Sequence, residues 1–92
     1  MRIIGYVPHD QFKITVFKDN NRLSIKFESG LYEQVYQFRD TAELQNMEQV
    51  RTLVDAEWLA FVTEEFKRLH QAKNAALARF LPAPDEWMDT II

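Results

Sequence analysis

The feature that most constrains this chain is a change of hydrophobic period near residue 40. Before that point, apolar residues alternate with polar ones. "FKITVFK" (12–18) sets Phe12, Ile14 and Val16 on one side, and "LSIKFE" (23–28) sets Leu23, Ile25 and Phe27 on one side. Period two over such runs reads as half-buried strands. A two-residue loop at Asn20–Asn21 in "DNNR" places Val16 opposite Ile25 and Ile14 opposite Phe27. It also places Lys13 opposite Glu28 and Asp19 opposite Arg22. Apolar pairs then share one face and opposite charges the other, so one register satisfies both faces. Asn tolerates positive φ, which predicts a type I′ turn.

"ESGLYEQVYQF" (28–38) supplies the next strand. A two-residue turn at Ser29–Gly30 sets Phe27 opposite Tyr32, Ile25 opposite Gln34 and Leu23 opposite Tyr36, with Lys26 facing Glu33. Tyr32, Tyr36 and Phe38 then face the core. A three-residue loop with Gly30 in a bulge would bury Leu31 and Val35 beside Glu33 and Gln37, and the aromatic face is the better core. "RIIGYV" (2–7) reads as an additional strand stopped by Pro8, with Gly5 at a bulge or bend.

Beyond residue 40 the spacing turns helical. Leu44, Met47, Val50 and Val54 recur at helical intervals, and Asn46 with Gln49 fits a capping box. Asp55 is the expected N-cap of a long second helix, which Pro82 and Pro84 stop. On that helix Trp58, Phe61, Val62, Phe66, Leu69, Ala72, Ala76, Leu77 and Phe80 fall within about 160° of arc, predicted to face the sheet. Glu64 and Arg68 are spaced for an exposed pair. Phe27, Tyr32, Tyr36, Trp58 and Leu69 are expected to be mostly buried. The expected fold is α+β: an antiparallel three- or four-stranded β-meander, covered on one face by a long C-terminal amphipathic helix, with a shorter helix between. It occupies residues 1–81, and 82–92 form a C-terminal apolar tail.

Ninety-two residues suffice for one domain with a thin core. The chain has no cysteine, so disulfides and thiolate sites are excluded and a reducing cytoplasm suits it. The apolar residues before Pro8 are too few for a signal-peptide core, and no apolar run reaches membrane-span length. The expectation is a cytoplasmic protein without membrane contact. Residues 1–39 carry six Lys/Arg against four Asp/Glu, net +2, whereas 40–92 carry five against ten, net −5. An acidic half argues against nucleic acid as the main partner.

Signals for chemistry are sparse. Ser24 and Ser29 lack a nucleophile-elbow context, and the two glycines, Gly5 and Gly30, make no phosphate loop. His9 and His70 have neither metal-ligand spacing nor a cysteine partner, so no metal and no cofactor are expected. Glu65 falls inside the apolar arc. A carboxylate facing a core can act as a general acid, although an ion pair at the sheet edge, for example with Arg39, explains it more simply. His70 reads as a boundary residue with a wet ring. Tyr32, Tyr36, Trp58, Phe61 and Phe66 can line a ligand pocket, but a core this small needs them as core. The outward sheet face carries Phe17 among Lys13, Arg22 and Lys26, a modest platform for stacking a base, with Lys13 and Lys26 already facing Glu28 and Glu33.

The order of "HDQFKITVF", "IKFESGLYEQVYQFR" and "LVDAEWL" is similar to that in small uncharacterised bacterial proteins. The resemblance covers most of the chain, implies no activity and carries over no functional residue. The leading expectation is a non-catalytic domain that contacts a protein partner or a second copy of itself. Phe17, Leu31 and Val35 on the sheet, with Trp87, Met88, Ile91 and Ile92 of the tail, are the expected contact residues, since four apolar side chains amid acidic spacers suit a protein surface better than an anionic membrane. The alternatives are weak nucleic-acid binding on the outward sheet face and an enzyme or ligand site near Glu65.

Overall fold

The structure, a computed structural model, describes residues 2–39 and 41–81. Four strands, β1 (Arg2–Val7), β2 (Lys13–Asp19), β3 (Arg22–Ser29) and β4 (Tyr32–Arg39), form one antiparallel meander in chain order. Helices α1 (Met47–Leu53) and α2 (Ala56–Phe80) follow. The fold is the α+β meander that the change of period predicts. The apolar tail 82–92 lies outside the described residues.

The first hairpin has the expected register: Val16 pairs with Ile25, Ile14 with Phe27, Lys13 with Glu28 and Asp19 with Arg22. Its turn differs in type. Neither Asn20 nor Asn21 has positive φ, so the loop is not type I′. The Asp19 carboxylate instead accepts a hydrogen bond from the Asn20 amide at 2.9 Å, which supports the turn from its own first residue.

The second hairpin corrects the sequence reading by two residues. Its loop is Gly30–Leu31, so Phe27 faces Gln34, Ile25 faces Tyr36 and Leu23 faces Phe38. Gly30 has φ 59° and Leu31 does not share that sign, the pattern a type II′ turn requires at its first central position. A slip of two residues leaves every side chain on its predicted face, because the strand period is two. Tyr32, Tyr36 and Phe38 therefore point inward as expected, and Lys26 meets Glu33 diagonally at 3.7 Å.

β1 is the additional strand. Its register shifts between Ile3 and Gly5, leaving a bulge there. A Cβ on Gly5 would come within 2.8 Å of the Met47 Sδ, so the bare backbone lets α1 settle onto β1. The α1 N-terminus is held by the capping box: Asn46 accepts from the Gln49 amide at 3.0 Å, and the Gln49 side chain accepts in return. Asp55 caps α2 by accepting from the Trp58 amide at 2.9 Å. At the other end Leu81 turns extended before Pro82.

The core comprises Phe12, Ile14, Val16, Leu23, Ile25 and Phe27 from the hairpin and its approach, Val50 and Val54 near α1, and Val62 and Phe66 of α2. Trp58 stands edge-on to Phe27, Tyr36 and Phe38, with ring centroids 5.1, 5.1 and 6.1 Å apart. Phe27 is fully buried as expected, while Tyr32, Tyr36 and Trp58 are half-buried at the edge of that cluster. Leu69 contradicts its expected burial: it is 37% exposed. On the sheet's outer face Thr15 and Ser24 are buried, because the larger neighbours Tyr6 and Lys26 flank the first and Phe17 and Gln37 the second.

Phe27 is therefore the most sensitive side chain of the fold. Phe27→Ala is expected to cost about 3–5 kcal/mol, from lost transfer energy plus a cavity. Leu69→Ala should cost less than about 1 kcal/mol, because little apolar contact is lost. Urea denaturation of both variants measures the contrast, and equal losses would contradict this placement of α2.

Candidate functional site

α2 lies on the sheet through Trp58, Leu59, Val62 and Phe66, a stripe of about 100° on a helix turning about 100° per residue. The predicted arc was wider than a single sheet can cover. Phe61, on the flank of that stripe, is 65% exposed, and Phe80, at the helical angle of Val62 but about five turns further along, is 79% exposed because the helix has run past the sheet. Phe61 lies about 60° beyond the Trp58 edge of that stripe, on the flank that the sheet does not cover. Beyond Phe66 no apolar side chain of α2 packs against the core among the described residues.

The last anchor of α2 to the sheet is polar. The His70 ring bridges helix and strand, with Nε2 hydrogen-bonded to Asn74 Nδ2 at 3.1 Å and Nδ1 to Tyr32 Oη at 2.8 Å. The Lys73 ammonium lies 5.3 Å from the centre of the Tyr32 ring. His70 is the wet boundary residue expected of it, with two hydrogen-bond partners the sequence reading did not assign. Beside it an open groove of about 570 Å³ is lined by Phe12, Tyr32, Thr63, Phe66, Lys67 and His70 among others. The groove is shallow and its aromatic floor belongs to the core contact of Phe12 with Phe66, centroids 5.3 Å apart.

Glu65 does not face the core. It sits on the exposed rim and pairs with Arg68 on its own helix at 3.5 Å, not with Arg39, while Lys67 takes Glu64 at 3.4 Å in place of the expected Glu64–Arg68 pair. A half-exposed, ion-paired carboxylate lacks the apolar surroundings that would tune it as a general acid. Its field reaches Tyr36: burial first, and the Glu65 charge second, push the Tyr36 hydroxyl above its ordinary value of 10.0.

The outer sheet face does not gather the expected contact residues into one patch. Phe17 is half-buried with the Lys26 ammonium 5.6 Å from its ring centre, and Lys26 also pairs with Glu28 at 3.5 Å. Val35 is 51% exposed on β4, with β3 between it and Phe17. Leu31, 77% exposed, stands in the β3–β4 turn at the end of the sheet. Trp87, Met88, Ile91 and Ile92 lie outside the described residues. Among the described residues no group of three His, Cys, Asp or Glu side chains is placed to hold a metal ion, and no helix is long and apolar enough to cross a membrane.

The sequence reading missed the exposed rim because it assigned Phe61, Leu69 and Phe80 to the core. The width of the arc, about 160°, signals Phe61 alone, whereas Leu69 and Phe80 fall within the packing stripe in angle and are exposed because the helix outruns the sheet. Protein-family models, curated proteins and solved structures were each compared with this chain, and none matched.

Tyr36 gives the site a pH signature. Its folded-state value is raised, so the stability tied to the neutral phenol is complete below the unfolded value near 10.0 and is lost as pH climbs through the folded value. Denaturant midpoints should be level up to that pH and decline above it, and Tyr36→Phe should flatten the decline. An unchanged alkaline slope in the variant would exclude Tyr36 as its source.

Proposed function

We propose that the chain is a non-catalytic protein-interaction domain whose contact surface is built on the exposed apolar residues of α2. The observation that carries this reading is the set Phe61, Leu69 and Phe80, 65%, 37% and 79% exposed along one helix. Rigid aromatic side chains on a formed helix are what a helix-in-groove contact uses as anchors. The outer sheet face supports the reading less, since its one central aromatic lies under Lys26. The same arrangement weakens a nucleic-acid role, because Lys26 is neutralised by Glu28 and Glu33 before any phosphate reaches it. The absence of cysteine suits a cytoplasmic setting.

A photo-cross-linking aromatic residue placed at Phe61 or Phe80, in cells of the native host, tests the surface. Both positions are expected to give protein adducts, whereas the same probe at Gln71, exposed on another side of α2, should give none. Equal labelling from all three positions, or none from any, would refute the reading.

A further inference from the structure

We infer that the outer face of the sheet, beside the β2–β3 turn, holds a site for a single phosphate group carried by a small molecule, formed by Arg22 and Arg39. The inference is independent of the α2 reading. Its ground is a cross-strand pair that the fold does not need. Arg22 of β3 and Arg39 of β4 stand directly opposite each other, two residues along each strand from the outward pair Ser24 and Gln37. Side chains so placed start about 4.5–5.5 Å apart, and like charges there destabilise a sheet. The two other like-charged pairs among the described strands are answered. Lys26 reaches both Glu28 and Glu33, at 3.5 and 3.7 Å. Lys18, opposite Arg2, donates to the Gln45 carbonyl at 3.4 Å, and Asp19 lines the same cleft as Arg2 and Lys18. Arg22 and Arg39 have no ion pair among the described residues.

Arg22 has a carboxylate opposite it on its other side, Asp19 of β2. Its Nη1 donates instead to Gln37 Oε1 at 3.2 Å, while Asp19 accepts from the Asn20 amide. Arg22 therefore leans toward β4, the strand that carries Arg39. An open cleft of about 440 Å³ is lined there by Asn21, Arg22, Gln37, Phe38 and Arg39, with no acidic residue among them. β4 is the outer strand of the sheet, so a ligand can approach from its open edge. Two guanidinium charges match a phosphate monoester, which carries about −1.5 to −2 near neutral pH. Their forked N–H donors fit its oxygens in pairs. Gln37 accepts from Arg22 through Oε1 and keeps its NH2 group to donate. A carboxylate, with one charge, would leave one arginine unanswered. A nucleic-acid strand needs further cations along the same face, and the next one there, Lys26, is held by Glu28 and Glu33. Phe38, half-buried in the lining, offers apolar surface to the organic part of the ligand.

NMR titration of the isotope-labelled full chain with phenyl phosphate, at low salt, tests this. Saturable shifts are expected at Asn21, Arg22, Gln37 and Arg39, with a Kd of about 1 mM or tighter. Arg39→Gln should weaken binding about tenfold or more. The same variant should melt no lower than the parent chain, because it relieves a like-charge contact. Arg22→Lys keeps the charge but loses the fork, and should bind several-fold more weakly. Inorganic phosphate should shift the same residues and bind less tightly than phenyl phosphate, since it lacks the ring that Phe38 meets. Shifts that grow without saturation, or that spread to Lys13 and Arg51, overturn the inference. So does an Arg39→Gln chain that melts well below the parent, which gives the arginine a structural role. Inorganic phosphate binding as tightly as the ester overturns the assignment to a small phosphorylated molecule. A single-stranded oligonucleotide that binds at these residues more tightly than phenyl phosphate overturns the single-phosphate site in favour of a polyanion.

Discussion

The placement of Trp58 governs the rest of the structure. Its indole meets Phe27, Tyr36 and Phe38 edge-on, which ties the first turn of α2 to β3 and β4. Asp55 stops the backbone one turn earlier and accepts from the Trp58 amide, so the residue that starts the helix also fixes its anchor. Once Trp58 is placed, helical geometry sets Val62 and Phe66 on the sheet and leaves Phe61 on the flank. The exposure of Phe61 follows from this anchor, and that of Leu69 and Phe80 from the length of a helix that continues past its last core contact.

How far the sequence disclosed this depended on the period. In the strands, an error of two residues in the β3–β4 loop cost nothing in side-chain orientation, since period two returns Tyr32, Tyr36 and Phe38 to the same face. The caps at Asn46 and Asp55 were legible because each is a local motif whose partners lie within one turn. The helix face was legible only in part. A hydrophobic arc names the residues that avoid water, not the number of surfaces they avoid it against. Val62 and Phe61 are neighbours in sequence and read alike, and only the width of the sheet separates a core residue from an exposed one. The Tyr32–His70–Asn74 chain was hidden for another reason: it joins residues 38 apart, and no spacing rule links a strand end to a helix flank.

Burial on both sheet faces clarifies why the rim of α2, and not the sheet, stands out as a surface. The inner face is filled by the core and α2. On the outer face the small side chains of Thr15 and Ser24 sit low between long neighbours, and the Lys26 stem with Phe17 covers the centre. Apolar groups there are spread among charges that already answer one another. On α2 Phe61, on the flank, and Leu69 and Phe80, beyond the last core contact at Phe66, have no such cover.

The composition of the distal half of α2 carries the argument one step further. The core engages this helix only as far as Phe66, yet it continues to Phe80. A segment of about 14 residues is marginal as a helix on its own in water. This one reads "QAKNAALAR" at 71–79, rich in the residue with the highest helix propensity. The pairs Glu64–Lys67 and Glu65–Arg68 brace the chain where it leaves its buried stretch. Alanine adds nothing to a core it does not reach. What it does is keep Leu69, Phe80 and their charged neighbours on a formed helix where the only sheet contacts among the described residues are those of His70 and Lys73 with Tyr32. A surface ordered in advance loses little conformational entropy when it is covered, so even a narrow contact leaves a useful surplus of binding free energy.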